Sequence, residues 1–267
     1  MKKIFWHKKV FLTLIFFVLF GCGQKTTARN DQINYQEIYK ELFAAGKYDE
    51  ALAHLQLWES AEPDNPEMFI AYYNYYTDDI FTAIEYLDRG LDLYPDRLDM
   101  HFSKIYIFNE NRYYELAGEE LFSTLEISKR INNDWVWTDN VKMPNGELFL
   151  VSSIQDYYRL WLDAETKEAY DQIKLCAEKQ IELYPGYIYS YNYLAVCYLA
   201  EGQFQEGLKY LLQAETIAPD DCIVLENIGR TYMNMNDNQK AEEYFMKILE
   251  VGNDQDKMYA EYYLNLL

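Results

Sequence analysis

The sequence predicts an all-α chain built from antiparallel helix pairs stacked in a row. Three observations carry that reading. Apolar residues recur at i, i+3, i+4 and i+7 through most of the chain, the stripe of a helix with one buried face. Only eleven glycines and six prolines occur in 267 residues, too few for a loop-rich β-fold with a turn every ten residues or so. The same order of aromatic, small, turn and proline residues returns about every 34 residues, the signature of a repeat architecture.

The elements follow in chain order. Lys2, Lys3, Lys8 and Lys9 form a basic start, and Val10 to Phe20 is apolar apart from Thr13. Eleven residues are too short for a permanent span of about 20 but suit the apolar region of a secretory signal. The run Leu19-Phe20-Gly21-Cys22 resembles a bacterial lipobox. That resemblance implies a signal peptide over 1–21, cleavage before Cys22 and lipid attachment at Cys22. Phe20 is bulkier than the small residue usual at its place. Residues 22–31 are small and polar and read as a tether.

Helix pairs are expected from residue 32 onward. In 32–65, Tyr35, Ile38 and Leu42 precede Gly46, and Tyr48, Ala51, Leu52, Leu55 and Pro63 follow it. Tyr39 and Trp58 stand there where small residues usually sit, so this pair must splay or pack differently. In 64–97, Ala71 marks the first helix and Ala83, Leu87, Gly90, Leu93 and Pro95 the second. Residues 98–129 match more loosely, through Phe108, Ala117, Leu121 and Ile127. The period breaks at 130–152, where Asn132-Asn133-Asp134 and Pro144-Asn145-Gly146 bracket Trp135 and Trp137; this reads as an ordered insertion, with the tryptophans pinning it to the core.

A long helix from about Glu147 to Asp163 and a partner from about Lys167 to Tyr184, stopped by Pro185, form an enlarged pair. The pattern is clearest in 188–221: Tyr191, Leu194, Ala195 and Tyr198, then Gly202, then Phe204, Gly207, Leu208, Leu211, Ala214, Ile217 and Pro219. Residues 222–253 repeat it through Leu225, Ile228, Gly229, Tyr232, Asn236, Ala241, Phe245 and Ile248. Met258, Tyr259, Tyr262, Tyr263 and Leu266 would line the packing face of a last helix over 254–267. A stacked array needs such a cap, because its final apolar face has no neighbour.

This arrangement resembles a tetratricopeptide repeat protein over about 200 residues. The resemblance implies a right-handed helical solenoid of about six helix pairs with a C-terminal capping helix: three repeats over 32–129, the insertion over 130–152 and three repeats over 153–253, the first enlarged. It further implies a concave groove lined by the first helices, in which such proteins bind peptides or protein partners. In that frame the groove residues are Tyr72, Tyr76, Phe102, Tyr106, Tyr158, Tyr189, Asn192 and Arg230. Tyrosine suits such a surface, since it offers apolar area and a hydroxyl at low entropy cost. Lys40, Asn192 and Arg230 are too scattered for the basic clamp with which some members hold a C-terminal carboxylate.

Composition narrows the function classes. The formal net charge is −20, and loss of residues 1–21 removes four lysines and no acid, taking it to −24. A body so acidic lacks the basic patch that nucleic acid requires. No zinc, nucleophile-elbow or phosphate-loop motif is present, so no catalytic residues, metal or cofactor are expected. Asp220-Asp221 and Asp254-Gln255-Asp256 read as helix caps rather than calcium ligands. Cys176, Cys197 and Cys222 lack redox or zinc spacing and read as free thiols. The sequence therefore predicts a non-catalytic, lipid-anchored interaction scaffold of the bacterial cell envelope, at the outer membrane facing the periplasm or the surface. Its partner would be a protein or extended peptide. The alternative is a glycan- or nutrient-binding surface lipoprotein, because tyrosine rows also stack on sugar rings.

Overall fold

The computed structural model describes residues 33–267. The signal segment, Cys22 and the 22–31 tether lie outside the described residues. Among the described residues run thirteen α-helices: α1 (Tyr35–Ala44), α2 (Tyr48–Ala61), α3 (Pro66–Tyr75), α4 (Ile80–Leu93), α5 (Leu98–Glu110), α6 (Tyr114–Arg130), α7 (Gly146–Asp163), α8 (Lys167–Leu183), α9 (Ile188–Ala200), α10 (Phe204–Ile217), α11 (Cys222–Asn234), α12 (Asn238–Val251) and α13 (Asp254–Leu264). They form six successive pairs and a single last helix, the all-α repeat fold that the sequence predicts. None is long and apolar enough to cross a membrane.

Local chemistry sets the boundaries. Asn65, Asp79, Thr166, Asp221 and Asp237 cap α3, α4, α8, α11 and α12 by accepting hydrogen bonds from first-turn amides. Asn253 and Asp256 form a reciprocal capping box on α13, which satisfies amides that have no intrahelical partner. Both acidic clusters noted in the sequence thus serve as caps. Pro63, Pro95, Pro185 and Pro219 each follow the end of a second helix, where a residue lacking an N–H cannot continue it. The turn inside five pairs places one residue at positive φ: Gly46, Arg112, Glu165, Gly202 and Asn236. Glycine and asparagine adopt that conformation at least cost; Arg112 and Glu165 adopt it without that advantage.

Close approach of helices depends on small residues. At Gly229 an added Cβ would lie 2.7 Å from the ring of Phe245 on α12. The N-terminal core gathers Tyr39, Leu55, Trp58, Phe69, Tyr72 and Leu87, and the C-terminal core Leu211, Leu225, Ile228, Phe245 and Ile248. In the first pair, Tyr39 and Trp58 are buried where the fifth pair carries Ala195 and Ala214. The Tyr39 hydroxyl donates to the carbonyl of Ala71 at 2.9 Å, and Trp58 Nε1 donates to Glu62 at 2.9 Å.

One expectation needs correction. The α13 stripe of Met258, Tyr259, Tyr262 and Leu266 faces solvent, with 58%, 45%, 58% and 56% of each exposed. Of the expected stripe Tyr263 does pack, stacking on Phe245 of α12 at 5.0 Å, and the buried Ala260 and half-buried Leu264 complete that side. The long helix α7 begins at Gly146, within a residue of the start near Glu147 that the sequence predicts. Glycine is required there: a Cβ would lie 2.3 Å from the carbonyl oxygen of Asn133. The fourth pair departs further from the others, because α8 packs more extensively on α6 than on α7. Its Cys176 thiol donates to the carbonyl of Gly118 at 3.3 Å, so the enlarged α7 is carried to one side.

The insertion is a small hairpin of β1 (Val136–Trp137) and β2 (Val141–Lys142) joined by a 3-10 turn. Trp135 is fully buried, donates to Ser128 Oγ at 2.9 Å and sets its edge against His101. This is the pinning role that the sequence predicts for it. Trp137 is half-buried against Phe149 of α7. The hairpin tip reaches across the start of three first helices. Thr138 donates to Asp99 at 2.9 Å, the amide of Asp139 donates to Glu67 at 2.9 Å, and Gln36 donates to Asp139 at 3.0 Å.

Beneath this tip lies Arg97, 1% exposed. Its guanidinium donates to both carboxylate oxygens of Asp99 at 2.9 and 2.6 Å, and Nη1 lies 3.0 Å from Glu67. Removing one member of a buried ion cluster strands the others without compensation. Arg97→Ala should therefore cost about 3–5 kcal/mol in urea unfolding at neutral pH. A loss below about 1 kcal/mol, the range of an exposed pair, would show that the cluster does not anchor the hairpin.

Candidate ligand-binding face

First helices touch one another along one side of the array, and that side is the candidate site. Tyr39 of α1 bonds to α3, Phe102 of α5 stacks on Tyr157 of α7, Tyr158 of α7 meets Tyr193 of α9, and Asn192 of α9 accepts from Asn227 of α11 at 2.7 Å. Residues on this side that keep part of their surface in solvent are available to a ligand.

The eight sequence-predicted residues divide sharply by that criterion. Tyr72 is 1% exposed. Its ring stacks on Tyr86 of α4 at 3.9 Å, and its hydroxyl donates to Glu59 at 2.8 Å. It is packing between α3 and the neighbouring second helices, and burial drives its pKa above the ordinary tyrosine value. Tyr76 is half-buried and lies parallel to the same Tyr86 ring, so it too turns toward α4. Phe102 is sandwiched by Phe149 and Tyr157. Tyr158 has no exposed surface, and burial raises its pKa well above normal. As ligand contacts Tyr72, Phe102, Tyr158 and Asn192 are therefore corrected: with at most 8% of each exposed, their surface is taken up by packing.

Tyr106 stays half-buried beside Glu110, and Tyr189 is half-buried with its ring edge-on to Tyr187 at 5.8 Å. Asn192 is 8% exposed, with its oxygen engaged by Asn227. Arg230 is open to solvent, reaches Glu226 at 3.4 Å and lies over the ring of Tyr263 at 5.7 Å. The structure gathers Tyr189 and Asn192 on α9 and carries Arg230 on the adjacent α11. Tyr76 and Tyr106 lie in the N-terminal half, apart from that group.

The C-terminal half also supplies residues absent from the sequence-based set. Tyr193 is half-buried one turn after Tyr189, and burial raises its pKa while Arg159 opposes the rise. Gln155 of α7 donates to the Tyr187 hydroxyl. Asp156 and Arg159 form an exposed pair at 3.1 Å, and Asp163 lies near enough to Tyr193 to act on its charge. The i, i+4 spacing of Tyr189 and Tyr193 was the available signal; the long α7 obscured which of its residues line up with them. The surface that results carries aromatic faces, amides and carboxylates. It offers stacking and hydrogen bonds to an extended chain, with no assembled nucleophile and base. Among the described residues no group of His, Cys, Asp or Glu is placed to hold a metal ion.

Truncation separates packing from exposure. Tyr158→Ala should destabilise the fold by about 3–5 kcal/mol, the cost of emptying an aromatic site in a core. Tyr189→Ala should cost about 1 kcal/mol or less, both read by urea unfolding. Equal losses would show that Tyr189 is a packing residue.

Known proteins were compared with this chain. The tetratricopeptide repeat family matches residues 188–221 and 224–252. Protein O-mannosyl-transferase TMTC3 of Homo sapiens is 48% identical over 46 residues, 17% of this chain and 5% of that protein. Protein ycf37 of Guillardia theta is 29% identical over 118 residues, 42% of this chain and 65% of that protein. The chain thus spans a twentieth of the length of the first and just under two thirds of the second. Among solved structures, the C-terminal part of a TPR repeat-containing protein from Cytophaga hutchinsonii is similar at 13% identity and a TM-score of 0.47, covering 81% of this chain and 78% of that one. The TPR protein YrrB is similar at 16% identity and a TM-score of 0.44, covering 78% and 97%.

Proposed function

We propose that this chain, a tetratricopeptide repeat protein, is a non-catalytic scaffold, tethered by lipid at Cys22 to a bacterial envelope membrane, that holds a protein or extended peptide along its first-helix face. The observation that carries the binding role is the half-buried Tyr189–Tyr193 row on α9, with the half-buried Asn227 and the exposed Arg230 on the next first helix, α11. Tyrosine rings with amide neighbours recognise a chain through apolar area and main-chain hydrogen bonds. Repeat folds of this type generally present binding surfaces rather than reaction centres. The anchoring role is supported by the basic start, the short apolar run and the Leu19-Phe20-Gly21-Cys22 sequence. The envelope address, at the outer membrane facing the periplasm or the surface, rests on the same segment.

A photo-crosslinking residue at position 189 should capture a defined envelope protein in cells, whereas the same residue at Gln213 on α10 should not. Capture at both positions, or at neither, would sink the peptide-binding role. Tyrosine-dependent binding of the soluble domain to a glycan array, without protein capture, would replace it with the glycan reading. For the anchor, labelled palmitate should enter the wild-type protein and be lost in Cys22→Ala. Release of unlabelled wild-type protein from the membrane would overturn lipidation.

A further inference from the structure

The charge around the tyrosines differs between the two sides of the array. Tyrosines packed on the second helices carry cations of this same chain. Arg89 lies over Tyr86 at 4.9 Å, Lys209 over Tyr210 at 5.3 Å, Lys240 over Tyr232 at 4.9 Å and Lys247 over Tyr244 at 4.3 Å. Among the described residues, no lysine or arginine lies over Tyr189 or Tyr193. Both rings are only half-buried. Tyr193 packs edge-on against Tyr158 of α7 at 5.4 Å, the charges of Asp156 and Asp163 on α7 favour its protonated form, and Arg159 is held to Asp156 at 3.1 Å by a solvent-exposed pair with side chains 67% and 63% exposed. Such a pair contributes little and opens readily to a competing cation.

One turn of the array further on, the chain shows what a cation does in this setting. Arg230 lies over Tyr263 at 5.7 Å while pairing with Glu226 at 3.4 Å. An aromatic face beside a carboxylate attracts a Lys or Arg side chain through the ring quadrupole and the charge together. The net charge of −20 adds long-range attraction for a cationic partner.

We propose that the α7–α9 face binds a lysine- or arginine-bearing extended peptide segment, with a cationic side chain over Tyr189 or Tyr193 and against Asp156 and Asp163. The proposal rests on the first-helix face being a peptide-binding surface and specifies the chemistry of its ligand. An acidic or carboxylate-terminated segment would meet Asp156, Asp163 and Glu226 and be repelled.

The test uses the described domain and a fluorescein-labelled (Lys-Ser)n peptide long enough to cross two repeats, with (Glu-Ser)n and (Tyr-Ser)n as comparison probes. Anisotropy should show binding of the lysine peptide and none of the glutamate peptide. The Asp156→Asn/Asp163→Asn double variant should weaken it by about tenfold. Tyr193→Leu should weaken it by roughly three- to fivefold while Tyr193→Phe retains it. Arg159→Gln should strengthen it by removing the internal competitor. Asp49→Asn/Glu50→Gln, on the exposed start of α2, should change it by less than about twofold if the attraction is local.

Equal weakening by the α2 variant would mean general attraction to a polyanion and overturn the proposal. Tyr189-dependent binding of the tyrosine peptide, with no binding of the lysine peptide, would overturn the cationic specificity while leaving the peptide-binding role standing. Failure of all three probes to bind would also overturn it, since the crosslinking at position 189 tests the binding role separately.

Discussion

A pair of helices about thirty residues long cannot bury its apolar faces by itself, and this constraint governs the whole molecule. Each pair must lend a face to the next, so stability is built from interfaces between neighbours. The sites of closest approach are then the least negotiable positions. Gly229 admits the Phe245 ring, and Gly90 admits Met100, whose sulfur would lie 2.7 Å from an added Cβ. The first pair meets the same demand differently. Its large Tyr39 and Trp58 are tied by hydrogen bonds to Ala71 and Glu62, so each ring fills space that smaller residues close in the fifth pair and still satisfies its polar tip.

The insertion relieves the same constraint where the period breaks. Because α8 leans on α6, the stack between the third and fourth pairs lacks the regular interface. The hairpin supplies a substitute through Trp135, buried beside His101, and through the Ser128 hydroxyl, which donates to Asn133 and accepts from Trp135 and from Tyr184 at 2.9 and 3.0 Å. A buried polar network of this kind costs little when every member is satisfied and much when one is removed. His101 extends it, bonding to Glu120 at 2.7 Å, which Lys104 also reaches at 2.5 Å. The Arg97 cluster and the hairpin tip join the starts of α1, α3 and α5. The N-terminal half is thereby cross-braced by contacts between elements remote in sequence, whereas the C-terminal half is joined between successive pairs by packing and by bonds such as Asn227–Asn192 and Tyr244–Glu215.

The architecture was legible in the sequence because helix periodicity, turn residues and caps are local. Gly202, Asn236, Pro219 and Asp221 each act where their chemistry predicts. What failed was the direction in which large side chains point. Tyr72 and Tyr158 occupy first-helix positions that a regular repeat would turn toward the groove, yet the stacked Tyr86 ring and the lengthened α7 draw them into packing. Of the apolar stripe at 258, 259, 262, 263 and 266 only Tyr263 packs on α12, because amphipathicity reports which residues are apolar, not which face the preceding helix approaches. The Arg97 cluster left no sequence signal, since Glu67, Arg97, Asp99, Thr138 and Asp139 come together only after three pairs have stacked.

The distribution of cations makes the acidic composition more informative than the net charge alone. Basic residues are few, 24 against 44 acids, and several are spent within the array: Lys104 between Asp88 and Glu120, Lys174 between Asp171 and Glu201, Arg89 against Glu59 and Tyr86. Each of these neutralises carboxylates between or along packed helices. On α7 and α9 the only cation placed near Tyr193 is Arg159, and its pair is exposed. The fold therefore uses its scarce positive charge for packing and leaves the tyrosine face with carboxylates. A −20 molecule arranged in this way directs its attraction for a cationic segment to the surface with exposed aromatic rings, where charge and stacking act on the same side chain.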